Sequence, residues 1–255
     1  AMSPVSAAFY DNPSKKLAVV GVTGTEGKSS TVSFIWQLLR LAGKKAGFIS
    51  TVEYSFGGEA VANPEHQTTP EAPIIQHHLA EMVKNGCEYA VVESSSHGLS
   101  EKTNRLGDVL FDCGVFMNVT LEHLEFHKTF EQYRNDKANL FRALDKHNHE
   151  KLIGGKPACI NSIGVVNLED PSAKYFIESV LRQTDLPEKP PHKPERMQFL
   201  FRRFRKEFGI CVRKISRRRV TVLILRLKRT AAMRFSARMM RLERTCISIF
   251  RCVRR

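Results

Sequence analysis

In the stretch GVTGTEGKSS, residues 21–30, three glycines stand at three-residue spacing, Gly21, Gly24 and Gly27, followed at once by a lysine and two serines. Residues of these types in this order suit phosphate. The backbone N–H groups of a glycine-rich turn at a helix N-terminus converge on one point, and the helix dipole adds partial positive charge there. Lys28 offers a mobile full charge to outer phosphates, and Ser29 or Ser30 offers a hydroxyl to Mg²⁺. The spacing departs from the Walker pattern G-x4-G-K-[ST], because Val22 stands where its first glycine would be. The bland alternative is an ordinary glycine turn, and the segments on either side argue against it.

A second pointed residue lies in NVTLEHLEFHKTFEQYRNDKANLFRAL, residues 118–144. Thr129 followed by Gln132 has the spacing of a capping box, so a helix is predicted to begin near Phe130. Phe130, Tyr133, Leu140, Phe141 and Leu144 form its apolar face, and Lys137 falls on that same face. A buried ammonium needs a partner or must lose its charge; otherwise the side chain snorkels out along its stem. His123 and His127, four apart, suit either a metal neighbourhood or a polar surface. In ESSSHGL, residues 93–99, a serine nucleophile is conceivable, but G-x-S-x-G is absent and no triad partner stands out along the chain.

The elements that must carry these residues are readable. LAVVGV, residues 17–22, is a short β-branched run of the kind found in buried strands, and the glycine turn follows it. Val32, Ile35, Trp36 and Leu39 then recur at helical spacing, with Gly43 as a stop. AGFIS, YAVVE, GVFMNV, PACI and GVVNL repeat the strand signal, and helical patterns such as residues 72–84 separate several of them. This alternation predicts an α/β fold with a mainly parallel sheet flanked by helices. No apolar run approaches the roughly 20 residues of a membrane-spanning helix. The six cysteines form no C-x-x-C pair, which predicts reduced thiols and a cytoplasmic protein.

Five of these stretches, GVTGTEGKSS, TTPEAP, ESSSHGL, FMNVTLEHLEFHKTFEQYRNDKANLF and VVNLED, stand in the order found in the Mur ligases, and they most resemble the MurE type. The resemblance covers about residues 9–179. It implies the family's central ATP-binding domain at 15–184, preceded at 1–14 by the end of a domain for the UDP-sugar. It also implies a reaction: ATP phosphorylates the carboxylate of UDP-N-acetylmuramoyl-L-alanyl-D-glutamate, and the amine of an amino acid then attacks the acyl phosphate. Positioned cations and dipoles carry such chemistry.

By the same resemblance Gly24, Thr25, Glu26, Gly27, Lys28, Ser29, Ser30 and Asn118 hold ATP, with Lys28 on the phosphates. Ser29 and Glu93 ligate one Mg²⁺, and His123 stands near a second. Lys137 matches the lysine that CO₂ carbamylates, which turns an ammonium into an anionic group beside metal. Thr68, Thr69, Ser95 and Arg105 contact the muramoyl peptide, Arg105 after a two-residue insertion. Glu26 replaces a commoner asparagine, so its carboxylate should point away from the phosphates or the site should be weakened. Glu169 replaces a usual Asp. A folylpolyglutamate synthetase shares the loop and the carbamylated lysine, but TTPEAP with SSSHGL favours the muramoyl substrate.

Nothing of a domain for the incoming amino acid is recognisable after about residue 182. A Pro-rich break, DLPEKPPHKPE, ends at Glu195, and there the composition changes. Residues 1–195 hold 20 Lys and Arg against 24 Asp and Glu, whereas residues 196–255 hold 20 against 2. The basic residues switch from 15 Lys and 5 Arg to 3 Lys and 17 Arg, and Asp, Asn and Pro disappear. One reading is a nucleic-acid-binding arm on a non-catalytic nucleotide-binding fragment. The other, favoured by these coincident changes, is translation in a shifted frame, with no stable fold expected beyond about Leu186.

Overall fold

The computed structural model describes residues 2–65, 67–120, 124–181, 211–217 and 220–226. Five β-branched runs form the parallel centre of a sheet: β1 (Ala18–Thr23), β2 (Ala46–Ile49), β5 (Tyr89–Glu93), β6 (Cys113–Phe116) and β9 (Ser162–Asn167). Their order is β2-β5-β1-β6-β9, every neighbouring pair parallel. Two short strands, β3 (Glu53–Ser55) and β4 (Val61–Ala62), extend the β2 edge antiparallel. β1 lies at the centre, with all six residues buried, as a strand covered on both faces must be.

Helices cover both faces. α2 (Lys28–Leu41) packs Val32, Trp36 and Leu39 against Val20, Val22, Phe48 and Val91 on one side. On the other, α3 (Ala72–Lys84), α6 (Phe130–Ala143) and α7 (Ala173–Leu181) enclose Val19, Ala90, Val92 and Val166. The alternation of Val19 and Val20 between the two cores is the period-two geometry of a strand. α1 (Met2–Phe9), α4 (Ser96–Leu99) and α5 (Leu124–His127) complete the helices. Among the described residues, no helix is long and apolar enough to cross a membrane. Among the described residues, Cys87, Cys113 and Cys159 are free thiols.

Gly21 governs how near α6 comes to the central strand. A Cβ there would meet Leu140 Cδ1 at 2.5 Å and the Phe111 ring at 2.8 Å, so only glycine lets the helix lie so close. That approach brings Lys137, two turns away from the α6 C-terminus, to the loop that follows β1.

At the opposite end of the sheet a polar knot fixes the strand starts. Asp112 Oδ2 accepts from Val19 N at 2.8 Å and from Lys151 Nζ, while Oδ1 meets His149 Nδ1 at 2.9 Å. Lys151 also donates to the carbonyls of Leu17, at 2.9 Å, and Leu110, at 2.7 Å, so its three protons match three acceptors. Burial pushes this ammonium below its usual pKa, and the Asp112 carboxylate opposes the shift.

Two expectations are corrected. PACI forms part of β8 (Lys156–Cys159), which pairs with β7 (Glu150–Ile153) in a separate antiparallel hairpin, outside the parallel sheet. Its charged and glycine-flanked neighbours make a turn, so the pair closes locally. Beyond Leu186, where no regular structure is expected, β10 (Cys211–Arg217) and β11 (Val220–Arg226) are strands, β11 running parallel to β9. The β9 edge exposes a row of backbone groups, and VTVLIL has the β-branched content to pair with it.

Two substitutions test these constraints. Asp112→Ala strands a buried ammonium and should cost about 3–5 kcal/mol in denaturant unfolding. Gly21→Ala should cost about 1–3 kcal/mol by overpacking against Leu140 and Phe111, and an unchanged midpoint would refute the close approach.

Candidate functional site

The C-terminal ends of β1, β5 and β6 lie side by side, where the chain order of the parallel strands reverses about β1. In open α/β sheets that crevice is where ligands bind. The loop after β1, Gly24 to Gly27, turns through Gly27 at φ 76° into α2. Left-handed backbone of this kind is what glycine supplies without strain. Gly24 is equally constrained, because a Cβ there would lie 2.8 Å from Met117 Cβ.

The loop is held by its neighbours. Asn118, just past β6, accepts from Thr25 N through its side-chain Oδ1 at 3.0 Å and from Glu26 N at 2.9 Å, and its Nδ2 donates to Glu26 O at 3.3 Å. Its backbone carbonyl accepts from Thr25 N as well. Thr25 Oγ1 lies 3.2 Å from the Tyr133 hydroxyl and accepts from Thr120 N at 3.0 Å. Lys28 Nζ folds back to the Thr25 carbonyl at 2.8 Å. By contrast, the N–H groups of Gly27, Lys28, Ser29 and Ser30 have no partner among the described residues. They are the first-turn donors that a helix cannot satisfy itself, so they remain available to an anion. Glu26 and Ser30 are exposed.

Ser29 Oγ donates to Glu93 Oε2 at 2.9 Å, and the same oxygen accepts from Thr51 N at 2.9 Å. Glu93 is 1% exposed. No Lys, Arg or His pairs with it among the described residues, so a buried carboxylate stands without a cation. A hydroxyl and a carboxylate in contact are hard oxygen donors of the kind Mg²⁺ takes, and the missing countercharge fits such an ion.

Lys137 is buried on the apolar face of α6, as its spacing implies. Its ammonium donates to the Gly24 carbonyl at 2.7 Å and lies 4.5 Å from the Tyr133 ring centre. It therefore belongs to the loop rather than snorkelling to solvent. Thr129 caps α6 as predicted, accepting from Gln132 N at 3.1 Å. The return half of the capping box is absent, because Gln132 Nε2 turns to Asp136 Oδ1 at 2.9 Å.

A cavity of about 200 Å³ opens beside the loop, lined in part by Lys28, Thr68, Thr69, Ser95, Arg105 and Lys137. Thr69 Oγ1 donates to the Glu93 carbonyl at 3.2 Å and accepts from Ser95 N at 3.0 Å, which locks TTP to the end of β5. Arg105 Nη1 donates to the Thr69 carbonyl at 2.9 Å, and Nη2 pairs with Glu71. Ser95 Oγ is already used as the cap of α4, accepting from Gly98 N at 3.1 Å. The residues singled out in five separate stretches thus meet around one loop and one cavity. His123 lies outside the described residues.

Sequence reasoning missed the braces. Asn167 Nδ2 donates to the Met117 carbonyl at 2.8 Å, and Asp170 Oδ2 accepts from Val119 N at 2.8 Å, so VVNLED steadies the segment carrying Asn118. It also missed the partners of Ser96: His127 Nε2 lies 2.9 Å from Ser96 Oγ, and His127 Nδ1 lies 2.8 Å from Asp136 Oδ2. No such partner stands out along the chain. Those partners lie 31 and 40 residues further along the chain, where only the fold brings them in.

Residues 22–185 match the Mur ligase middle domain. The chain is 67% identical over 178 residues to the UDP-N-acetylmuramyl-tripeptide synthetase of Treponema denticola, covering 70% of this chain and 32% of that protein. It is 39% identical over 176 residues to the UDP-N-acetylmuramoyl-L-alanyl-D-glutamate–2,6-diaminopimelate ligase of Geobacillus kaustophilus, covering 69% and 34%. A solved structure of a ligase of that second name superposes with a TM-score of 0.52 at 28% identity, over 65% of this chain and 30% of the other. The chain spans about a third of the length of the curated relatives it matches. By sequence and by fold, it belongs to the Mur ligase family, of which it carries the middle domain.

Proposed function

We propose that this chain supplies the ATP site of a MurE-type ligase, in which ATP phosphorylates the carboxylate of UDP-N-acetylmuramoyl-L-alanyl-D-glutamate and an amino acid's amine displaces the phosphate. One observation carries the reading: a single cavity joins the phosphate-loop lysine, Lys28, to the Thr69–Arg105–Ser95 wall, beside a buried carboxylate that meets no cationic side chain among the described residues. Two anions must meet in such a reaction, and the lining groups are suited to hold them. Its place of action in this reading is the cytoplasm, where ATP is available as substrate.

In this reading the free amides of Gly27 to Ser30 take phosphate oxygens, and Lys28 leaves the Thr25 carbonyl to follow the outer phosphate. Asn118 keeps the loop's carbonyls and amides in register. Ser29 and Glu93 would hold Mg²⁺, which neutralises charge on the phosphates. Thr68, Thr69, Ser95 and Arg105 orient the muramoyl peptide, and by the family resemblance His123 would serve a second Mg²⁺. Carbamylation of Lys137 suits its setting, because a carbamate keeps one N–H and so retains the bond to the Gly24 carbonyl. It also replaces a buried cation by an anion able to meet metal.

The Arg-rich region after residue 185 is proposed to be translated out of frame. The family match ends there, and a β-branched run can extend an open sheet edge whatever frame encodes it. Reading the coding DNA from the codon of Ala173 onward in all frames tests this; an in-frame genomic continuation identical to the chain would end the idea.

Calorimetry with ATP and Mg²⁺ should show binding that Lys28→Ala weakens by about 10- to 100-fold, the worth of a hydrogen bond to a charged group. Equal affinities, or none in either protein, would sink the nucleotide reading. Intact mass measured with and without bicarbonate should reveal a CO₂ adduct that Lys137→Ala abolishes.

A further inference from the structure

Ser96 is a hydroxyl that the proposed ATP and peptide contacts leave without a task. It is the first residue of α4, directly after the central strand β5, and it lines the same cavity as Lys28, Arg105 and Lys137. Its oxygen lies 2.9 Å from His127 Nε2. The opposite ring nitrogen, Nδ1, lies 2.8 Å from Asp136 Oδ2, and Asp136 Oδ1 is in turn fixed by Gln132 Nε2 at 2.9 Å. Ser96, His127 and Asp136 are each no more than 2% exposed.

The chemistry of these atoms sets the direction of the protons. A carboxylate only accepts, so Nδ1–H donates to Asp136. In the neutral ring Nε2 then carries a lone pair, and the Ser96 hydroxyl donates to it. The Ser96 oxygen keeps its own lone pairs as acceptors, and Ser96 lines the cavity. A hydroxyl coupled in this way to a histidine that a carboxylate orients can pass a proton inward as its oxygen receives another from outside. Gln132 explains why Asp136 keeps its rotamer, and it does so by abandoning the second half of the α6 capping box.

We propose that Ser96, His127 and Asp136 form a proton relay that takes the proton of the attacking amine in the acyl-transfer step. This rests on the ligase reading given above. As the amine nitrogen bonds to the acyl carbon, the bond from that carbon to the phosphate oxygen breaks and phosphate leaves with its electron pair. The nitrogen's proton passes to Ser96 Oγ, and the Ser96 proton passes to His127 Nε2, where the Asp136 carboxylate stabilises the imidazolium. Water later removes that proton and restores the relay. Ser96 is the residue that touches the amine; His127 and Asp136 act through it.

Base coupling also makes a serine oxygen nucleophilic, and this can be read on the full chain without ATP, peptide or turnover. The protein is treated with diisopropyl fluorophosphate, the adduct is located by peptide mapping, and its rate of formation is followed by intact mass. The expected result is one adduct on Ser96, absent in Ser96→Ala, with labelling slowed about 10²-fold or more in His127→Gln. Asp136→Asn should slow it too, with far-UV circular dichroism showing that the fold is kept. No adduct on Ser96 in the unaltered chain overturns the relay, and so does labelling that is as fast in His127→Gln. ATP binding measured on the same preparation reports on the ligase reading separately. A chain that binds ATP but leaves Ser96 unlabelled keeps the site and loses the relay; a chain that labels but binds no ATP loses its proposed reaction.

Discussion

A buried ammonium must find an oxygen, and Lys137 finds it at the carbonyl of Gly24. That contact requires α6 to lie almost on β1, which requires Gly21, and it requires the loop carbonyl to point inward, which requires the clamp from Asn118. A turn with its first carbonyl pinned inward presents its later amides outward. The amides of Gly27 to Ser30 are available because they open a helix, and the Lys137 and Asn118 contacts hold the loop that leads into it.

The two ends of the sheet treat buried charge in opposite ways. At the strand starts, Asp112 sits among Lys151, His149 and Val19 N, and Lys151 spends all three protons on fixed acceptors. His147, His149 and Asp112 come close enough to suggest a metal cluster. Their ring nitrogens are nevertheless engaged with the carbonyls of Phe111 and Leu144, the amide of His149 and the Asp112 carboxylate, and Lys151 already stands as the cation. At the strand ends, among the described residues, the Glu93 carboxylate meets a hydroxyl and an amide. The closed knot stabilises; the open carboxylate is left to be completed by something that binds.

Side-chain amides and hydroxyls do the joining between these elements. Asn118, Asn167, Thr25, Thr69 and Asp170 each tie one segment at the strand ends to another, so cross-links reach the ends of four strands, β1, β5, β6 and β9. A cavity edged by such cross-links keeps its shape before ligand arrives, and pre-set dipoles lower the reorganisation needed when charge moves.

The sequence by itself determined the parallel sheet, the glycine turn between β1 and α2, the helix starting at Phe130 and the apolar face on which Lys137 falls, because each is a local matter of spacing, capping or β-branching. It also carried five ordered motifs to one family. It did not reveal that PACI closes a separate hairpin, since an apolar run of four residues is the same in either sheet. Nor did it reveal that Asn118 grips the loop, that Arg105 reaches Thr69, or that Ser96 meets His127 and Asp136. Those pairs are separated by 31 to 93 residues, and no periodicity spans such a distance. Only packing α4, α5 and α6 over the ends of the central strands decided them, because a hydrogen bond depends on ångströms in space and not on separation along the chain.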